Sequence, residues 1–430
     1  MQELYDKYQL GELEDDLEEA ILKSTYQNDK DMFGSACKEA ASVRASALEK
    51  RGGVSLQQIR DAWVENDRVT DSGEVVRGIE YKIGGCIIPM GYVGPLTIHG
   101  DYVKNESLVV PMATNEAALL YSIQRGIKAV NLAGGVHTLT HFDGMTRAPL
   151  LEAPDIRAAR EFIDRLENDP ALLKSMRSVQ IDPFVRLEEV EPYQLGTKVF
   201  LRMRFKTGDA MGMNGVTKAV ADITQQLLKD LPGWHLITIS SNLCSDKKST
   251  QINILHHRGK AIETEVFVSN EILQQVFSEN LNAYHVAQTV FNKCYLGSAL
   301  SGSTGGFNVN AANSIAAFFA ATGQDMAQVV SSASCFVQAK ASDKGLHFTV
   351  SLPCIELAAV GGGTMFGTAR EALQLLGCDK AGSSIDDNQS VMRLSEIAAA
   401  VVTSLELNSA CIQSCGYALA DLHVKLARGE

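Results

Sequence analysis

His141-Phe-Asp-Gly-Met-Thr-Arg-Ala-Pro-Leu150 opens the stretch whose reading decides the fold. It reads as a strand. A helix follows over Asp155–Asn168, then strands near Val179–Val190 and Thr197–Lys206. A second helix runs from about Met213 to Leu231, where Pro232-Gly233 stops it, and His235–Ser241 reads as a last strand. Strand–helix–strand–strand–helix–strand is the ferredoxin-like split arrangement. The segments on either side share another character. The expected class is therefore α+β: a large helix-rich domain (81–140 and 242–430), an inserted ferredoxin-like domain (141–241) and a helical N-terminal region (1–80).

Before the insert, Leu108–Ala113 reads as a strand, and Thr114 as the N-cap of a helix through about Lys128. After it come a strand at Ala261–Val268, a glycine-rich loop at Gly302–Gly306, a helix to about Ala321 and another from Asp325. A strand at Phe348–Leu357, the run Gly361-Gly-Gly-Thr364 and a C-terminal helix over Val391–Val424 complete the reading. At the N-terminus, Glu12–Lys23 and Lys38–Lys50 carry apolar positions at helical spacing and no clustered chemistry, which suits a capping or dimerising element.

The chain of 430 residues sets 39 lysines and arginines against 51 aspartates and glutamates, a net charge of −12. That speaks against a protein held on nucleic-acid phosphates. An anionic ligand would need a local basic pocket against this acidic background. Nine scattered cysteines without a C-x-x-C pair read as reduced thiols of the cytoplasm. Glu12-Leu-Glu-Asp-Asp-Leu-Glu-Glu19 is the opposite of a basic signal-peptide start. Cys294–Gln324 is uncharged, but its glycines and asparagines mark buried core and loop rather than a membrane span. No G-x-G-x-x-G, G-x-x-x-x-G-K-[ST], G-x-S-x-G or H-E-x-x-H occurs, so an ordinary Rossmann fingerprint, a P-loop, a hydrolase elbow and a zinc-protease site lose support.

Four places could carry chemistry. Asp246-Lys247-Lys248 follows a strand, where sites collect. One lysine could hold an anion and the other polarise a carbonyl, or the loop is simply a solvated basic one. Glu116, in the first turn of its expected helix, suits a structural acid; proton donation would ask for burial or negative neighbours. Asp325, after Gly323-Gln324, carries an N-cap signature. Asp209-Ala-Met-Gly-Met-Asn214 opens a helix, and its Gly212 and helix N-terminus could accept a pyrophosphate.

These pieces coincide in one family. Glu80-Tyr-Lys-Ile-Gly, Ile88-Pro-Met-Gly-Tyr-Val-Gly-Pro95, Pro111-Met-Ala-Thr-Asn-Glu116, Asp143-Gly-Met-Thr-Arg147, Asp209–Asn214 and Asp246-Lys-Lys248 run in family order. They continue through Gly297–Asn308, Gly323-Gln-Asp325 and Val360-Gly-Gly-Gly-Thr364. The chain thereby resembles 3-hydroxy-3-methylglutaryl-CoA (HMG-CoA) reductase of the soluble, class I-like Asp-Lys-Lys type. The resemblance implies a large HMG-CoA-binding domain, an inserted nicotinamide-binding domain and an obligate homodimer or higher homo-oligomer. It implies no metal, nucleic acid or membrane. The implied reaction is the four-electron reduction of HMG-CoA to mevalonate and free coenzyme A.

Carried over by position, Lys247 would stabilise the oxyanion, Asp325 would hold Lys247 and Glu116 in one charge network, and Glu116 would give a proton at the aldehyde stage. Glu80, Arg147, Ser240, Asp246, Lys248, Lys293 and Asn313 would bind substrate; a bidentate arginine suits its carboxylate. Asp182, Phe184, Asp209, Met211, Gly212, Met213, Asn214, Gly362 and Gly363 would line the dinucleotide.

Departures from the family pattern are Tyr81 after Glu80, Asn310 in place of the usual histidine, and a tail in which His423, the expected acid for departing coenzyme A, stands one residue late. NADPH-using members place Ser-Arg before the residue matching Phe184; here the pair is Asp182-Pro183. An aspartate repels a 2′-phosphate and accepts from a free ribose hydroxyl, so NADH is favoured over NADPH. The other reading lets Asp182 merely end a strand and gives the phosphate to Arg186 or Arg202. Reduction of a different short acyl-CoA, and a CoA-ester-binding pseudoenzyme, are the alternatives in function.

Overall fold

The computed structural model describes residues 6–7, 17–64, 68–69, 75–76, 78–179 and 182–420. The chain forms two compact units, one of residues 1–89 with 365–370 and one of 90–364 with 371–430.

In the first unit, α1 (Leu17–Thr25) and α2 (Phe33–Gly52) bury Leu17, Ile21, Phe33, Ala36 and Ala40 against each other. Arg44 of α2 grips Glu18 of α1 with two bonds of 2.6 and 2.9 Å inside this contact. A short ladder pairs Arg68–Val69 with Val75–Val76.

The second unit is built on one sheet of eleven strands. They are β1 (Met90–His99), β2 (Glu106–Ala113), β3 (Val136–Arg147), β4 (Leu150–Glu152), β5 (Arg186–Leu195), β6 (Lys198–Lys206), β7 (His235–Thr238), β8 (Gly259–Ser269), β9 (Gly306–Phe307), β10 (Cys335–Ser342) and β11 (Gly345–Ile355). Along the sheet the order is β9-β10-β11-β8-β3-β6-β4-β7; β1 pairs with β2 and β3, and β5 pairs with β6. Among its helices are α3 (Leu119–Leu132), α4 (Ile156–Asn168), α5 (Pro170–Ser178), α6 (Met213–Lys229), α7 (Ala311–Thr322) and α8 (Gln389–Gln413).

The run β4-α4-β5-β6-α6-β7 forms an antiparallel ladder in the order β7-β4-β6-β5, the ferredoxin-like arrangement. It has its own core, with Leu151, Phe162, Leu187, Met203, Val220 and Ile223. The larger core lies around α8, whose Ile397, Val401, Leu405 and Cys411 are buried. β3 joins the two. Its first part pairs with β8, from Glu265↔His137 to Gly259↔Gly144, and its last residues pair with β6, Met145↔Phe205 to Arg147↔Met203.

Several elements differ from the sequence reading. Thr114 does not cap a helix: its hydroxyl accepts from Glu116 N at 3.0 Å in a local turn, and α3 starts at Leu119 behind Ala118 at φ +69°. Glu116 therefore lies in a loop, not in a first helical turn. The strand expected at Val179–Val190 is displaced to Arg186–Leu195, because Asp169 caps a further helix, α5, with Pro170 at its first position. The C-terminal helix ends at Gln413, before a turn with Gly416 at φ +63°. His423 lies outside the described residues. Among the described residues no helix is long and apolar enough to cross a membrane. All nine cysteines are free thiols.

α3, which follows Glu116, crosses α8 backbone to backbone. A Cβ built on Gly126 would stand 1.8 Å from Ser404 O, so only glycine fits. Gly126→Ala is expected to push the helices apart and to destabilise the protein by at least ~1–3 kcal/mol, the usual cost of overpacking. Urea denaturation should show a lower midpoint at unchanged slope; an unchanged midpoint would contradict the crossing.

Candidate active site

The loop after β7 carries three non-glycine residues with left-handed backbone: Asn242 (φ +67°), Ser245 (+55°) and Lys247 (+55°). Such conformations cost roughly 1–3 kcal/mol each and persist where the surroundings hold them. Here Asn253 donates its amide to Ser245 O at 3.1 Å and to Lys248 O at 3.5 Å. Ser249 Oγ meets Ser334 Oγ at 3.0 Å. Gly305 lies so close that a Cβ would stand 2.1 Å from Ser249 Oγ.

Asp246 is the fixed point of the loop. Its carboxylate accepts from Gln328 Nε2 at 2.9 Å and pairs with Arg258 at 3.1 Å and Arg147 at 3.5 Å. Burial works to raise its pKa, but Arg258, the Gln328 bond and Arg147 outweigh it and hold the group below its ordinary value. Arg258 has no exposed surface and also pairs with the fully buried Glu356. The Nη2 that pairs with Asp246 also reaches Met213 Sδ, at the start of α6, at 3.3 Å. Arg147 donates to Ser240 Oγ at 3.1 Å and to Thr217 Oγ1 at 2.9 Å.

With Asp246 held by these partners, Lys247 pairs with Asp325 at 2.9 Å, both side chains partly open to solvent. Asp325 also accepts from Ala327 N at 3.1 Å and caps the short 3-10 turn Met326–Gln328. The capping role and the charge pair coexist in one carboxylate. Lys248 reaches back to Asp246 O at 3.2 Å.

Glu116 stands in the loop after β2, and Asn313 of α7 donates its amide to both carboxylate oxygens, at 2.9 and 2.8 Å. Beside it lies a cavity of about 70 Å³ lined by Glu116, Arg125, Asn310, Leu405, Asn408 and Gln413, among others. Asn310 Oδ1 and Asn408 Oδ1 are buried without a hydrogen-bond partner among the described residues. Among the described residues no hydrogen bond or ion pair joins Glu116 to the Lys247–Asp325 pair. Lys293 is exposed on the π-helix Phe291–Gly297. Glu80 is exposed in a turn of the first unit, beside Tyr81 at φ +51°.

Of the residues expected to line a dinucleotide, Asp182, Phe184 and the Asp209–Asn214 segment lie around the start of α6. Gly212 caps this helix at φ +75°, and a Cβ there would stand 2.6 Å from Thr207 Cγ2. A Cβ on Gly215 would meet Asp182 Oδ2 at 3.2 Å, so Asp182 lies close to the first turn. Asp182 Oδ1 accepts from Phe184 N at 2.8 Å, and the Phe184 ring is half exposed. Met211 and Met213 are half-buried and Asn214 is exposed. Asp209 is buried. Its oxygens accept from Val391 N and Gly382 N, both at 2.8 Å, and burial pushes its pKa up. It thus fastens the 382–391 segment. Gly362 has φ +55°, and a Cβ on Gly363 would stand 2.3 Å from Gly323 O.

Neither arginine of the competing phosphate reading is unpaired. Arg186 makes two bonds to Asp386, at 2.9 and 2.8 Å, and one to Glu188. Arg202 is fully buried, 3.3 Å from Glu191, and donates to His257 O at 2.7 Å.

Sequence reasoning missed Gln328, Thr217 and Arg258. Nothing local marks Arg258 in His256-His-Arg-Gly259; its role arises from partners far away in the chain.

The profile of the family described as "Hydroxymethylglutaryl-coenzyme A reductase" matches residues 40–428. The 3-hydroxy-3-methylglutaryl-coenzyme A reductase of Aeropyrum pernix is 38% identical over 91% of this chain and 90% of its own. That of Pyrococcus abyssi is 36% identical over 86% and 88%. Among solved structures, the class II reductase from Streptococcus pneumoniae bound to NADPH, in open conformations, aligns with a TM-score of 0.58 at 15% identity, over 91% of this chain and 97% of that one. At that identity the likeness is one of fold.

The depressed pKa of Asp246 makes a stability prediction. Its contribution is fully present above the unfolded value of about 3.9 and is lost as pH falls through the lower folded value. Asp246→Asn should therefore cost a constant amount between about pH 5 and 8, and the gap to wild type should close below about pH 4. Denaturation midpoints across pH check it; a gap that widens in acid would contradict the pairing.

Proposed function

The chain belongs to the hydroxymethylglutaryl-coenzyme A reductase family, and from that premise we propose that it reduces HMG-CoA to mevalonate and free coenzyme A, with a nicotinamide dinucleotide as reductant. The observation that carries the reading is the Lys247–Asp325 pair at 2.9 Å on a loop anchored through Asp246. The balance is one thioester, two hydrides and two protons in, one primary alcohol and one thiol out. When bound, the dinucleotide supplies the hydrides.

This chain's residues do the rest. Arg147, with Ser240, offers a cationic seat for the substrate carboxylate, the local basic pocket that the acidic chain requires. Lys248, Lys293, Glu80 and Asn313 are assigned to the remaining substrate oxygens. Lys247 donates to the carbonyl oxygen as negative charge develops there, and Asp325 keeps its ammonium in place. After the thioester carbon has been reduced once, the carbon–sulfur bond breaks and the thiolate leaves as the carbonyl of the aldehyde re-forms. His423 is assigned the proton for that thiolate; a thiol pKa near ~8.5 makes this help useful rather than indispensable. Glu116 gives a proton to the aldehyde oxygen in the second reduction.

The inserted domain is assigned to the dinucleotide. The bare backbone at Gly212 and the N-terminus of α6 fit a pyrophosphate, and Phe184 offers an exposed ring beside Asp182. Asp182 disfavours a 2′-phosphate, while Arg186 and Arg202 are already neutralised by Asp386 and Glu191. This supports NADH as the preferred reductant. The reading includes a homodimer or higher homo-oligomer, which light scattering on the purified protein tests.

Lys247→Ala should lose roughly 3–4 kcal/mol of transition-state stabilisation, ~10²–10³ in turnover, with HMG-CoA and with mevaldehyde alike. His423→Gln should slow HMG-CoA reduction and leave mevaldehyde reduction unchanged. Spectrophotometric rates with both substrates check the pair; wild-type turnover in Lys247→Ala would sink the mechanism.

For the cofactor, kcat/KM should favour NADH, and Asp182→Ser with Pro183→Arg should shift preference toward NADPH. A preference for NADPH of about tenfold in the wild type, ~1.4 kcal/mol, would refute this part.

A further inference from the structure

α8 carries a carboxylate that the reaction above does not use. Glu406 is fully buried in the larger core. Its two oxygens each accept one backbone N–H, Val309 N at 2.6 Å and Asn310 N at 2.8 Å. These amides lie directly before α7. Asn308 completes the turn, its Oδ1 accepting from Ala311 N at 3.2 Å. In the first turn of α7 stands Asn313, which holds both oxygens of Glu116. The neighbours of Glu406 along α8, Leu405 and Asn408, line the cavity beside Glu116, and Asn310 lines it as well.

We propose that Glu406 is a positioning residue for the reduction: by binding the backbone of Val309 and Asn310 it fixes the start of α7, and through Asn313 it sets the carboxylate of Glu116.

A carboxylate is required at this place for a simple reason. Two N–H donors converge on one side chain, and only an ionised carboxylate offers each an acceptor of full strength. A glutamine would turn an NH₂ group against one donor. Among the described residues three titratable groups act electrostatically on Glu406: Lys293 and Cys294 from the π-helix Phe291–Gly297, and Cys335 from β10. Burial pushes both thiols up, Cys294 to about 12, so they stay neutral. Lys293 is the one cation among them. Burial raises the Glu406 pKa to about 7, with the two N–H bonds and Lys293 pulling the other way. The carboxylate therefore changes charge within the working range. Above that pH both N–H bonds have full acceptors; below it one oxygen carries a proton and accepts poorly, and the turn before α7 loosens.

The inference rests on the reading of Glu116 as proton donor. The experiment is the pH dependence of kcat/KM for HMG-CoA in the full-length enzyme with NADH. Wild type should lose activity as pH falls through about 7. Glu406→Gln should lack that limb and run at about a tenth of the wild-type plateau, within the ~10²-fold that an ångström of misplacement costs a catalytic group. Its KM for NADH should be unchanged. Asn313→Ala, which removes the link to Glu116, should also lack the limb. A wild-type limb in either variant overturns the proposal. Should Glu406→Gln not fold, Asn313→Ala still decides, together with infrared titration of the wild type; absence of a buried protonated carboxyl below about pH 7 counts against it. Glu116→Gln separates the two readings: if it reduces HMG-CoA at the wild-type rate, the assignment of Glu116 fails, whatever Glu406 does.

Discussion

Arg258 has no solvent to solvate it. A guanidinium taken wholly out of water costs several kcal/mol, and the fold is acceptable only if anions come to it with good geometry. Two do: Asp246 at 3.1 Å and the buried Glu356. Burial tends to strip the proton from Arg258, and Asp246 is the largest influence opposing it. The consequences spread outward. Asp246 must sit where Arg258 is, so the following residue is thrown into left-handed backbone and its side chain meets Asp325. Met213, met by the same guanidinium nitrogen that pairs with Asp246, ties the start of α6 to the loop. One buried cation thus sets the geometry between the segment assigned to the substrate and the helix assigned to the reductant.

Several side chains hold structure and chemistry at once. Asp325 caps a turn with one oxygen and holds Lys247 with the other. Asp209, inside a motif assigned to the dinucleotide, directs its carboxylate at two backbone amides and keeps the 382–391 segment in place. Glu396 does the same from α8, accepting from the amides of Asp101, Tyr102 and Val103. Buried carboxylates that gather backbone N–H groups recur through the unit, and each pins a loop that would otherwise leave its donors unsatisfied.

Local pattern carried the architecture far. Alternation and helical spacing placed α4, β6, α6 and β7 within a few residues, and the N-cap at Asp325 was legible because an Asx cap depends only on neighbours two residues away. Thr114 misled for the same reason: its hydroxyl makes a short-range turn that mimics a cap. α5 was not expected: the helical reading stops at Asn168, and Asp169 with Pro170 at the first position starts a second helix directly after it. The site residues came from resemblance. Their supports did not: Arg258, Gln328 and Glu406 act on partners 12, 82 and 97 positions away, respectively, and no window of sequence displays such a pairing.

β3 has a meaning for how such a protein can be rebuilt or recombined. Twelve residues, Val136–Arg147, belong at one end to the ladder of the larger core and at the other to the ladder of the insert, with no linker between. A genetic exchange that joined a foreign insert at residue 141 would cut this strand in mid-register, and a slip of one residue would turn every downstream side chain to the opposite face. Arg147 would then leave Ser240, Thr217 and Asp246 together. A transplantable junction lies past the shared strand, at Ala148-Pro149 and at Ser241, whose amide and hydroxyl both bond Ala148 O. The two ends of the module meet there, so a swap made at that seam carries the strand register with the host.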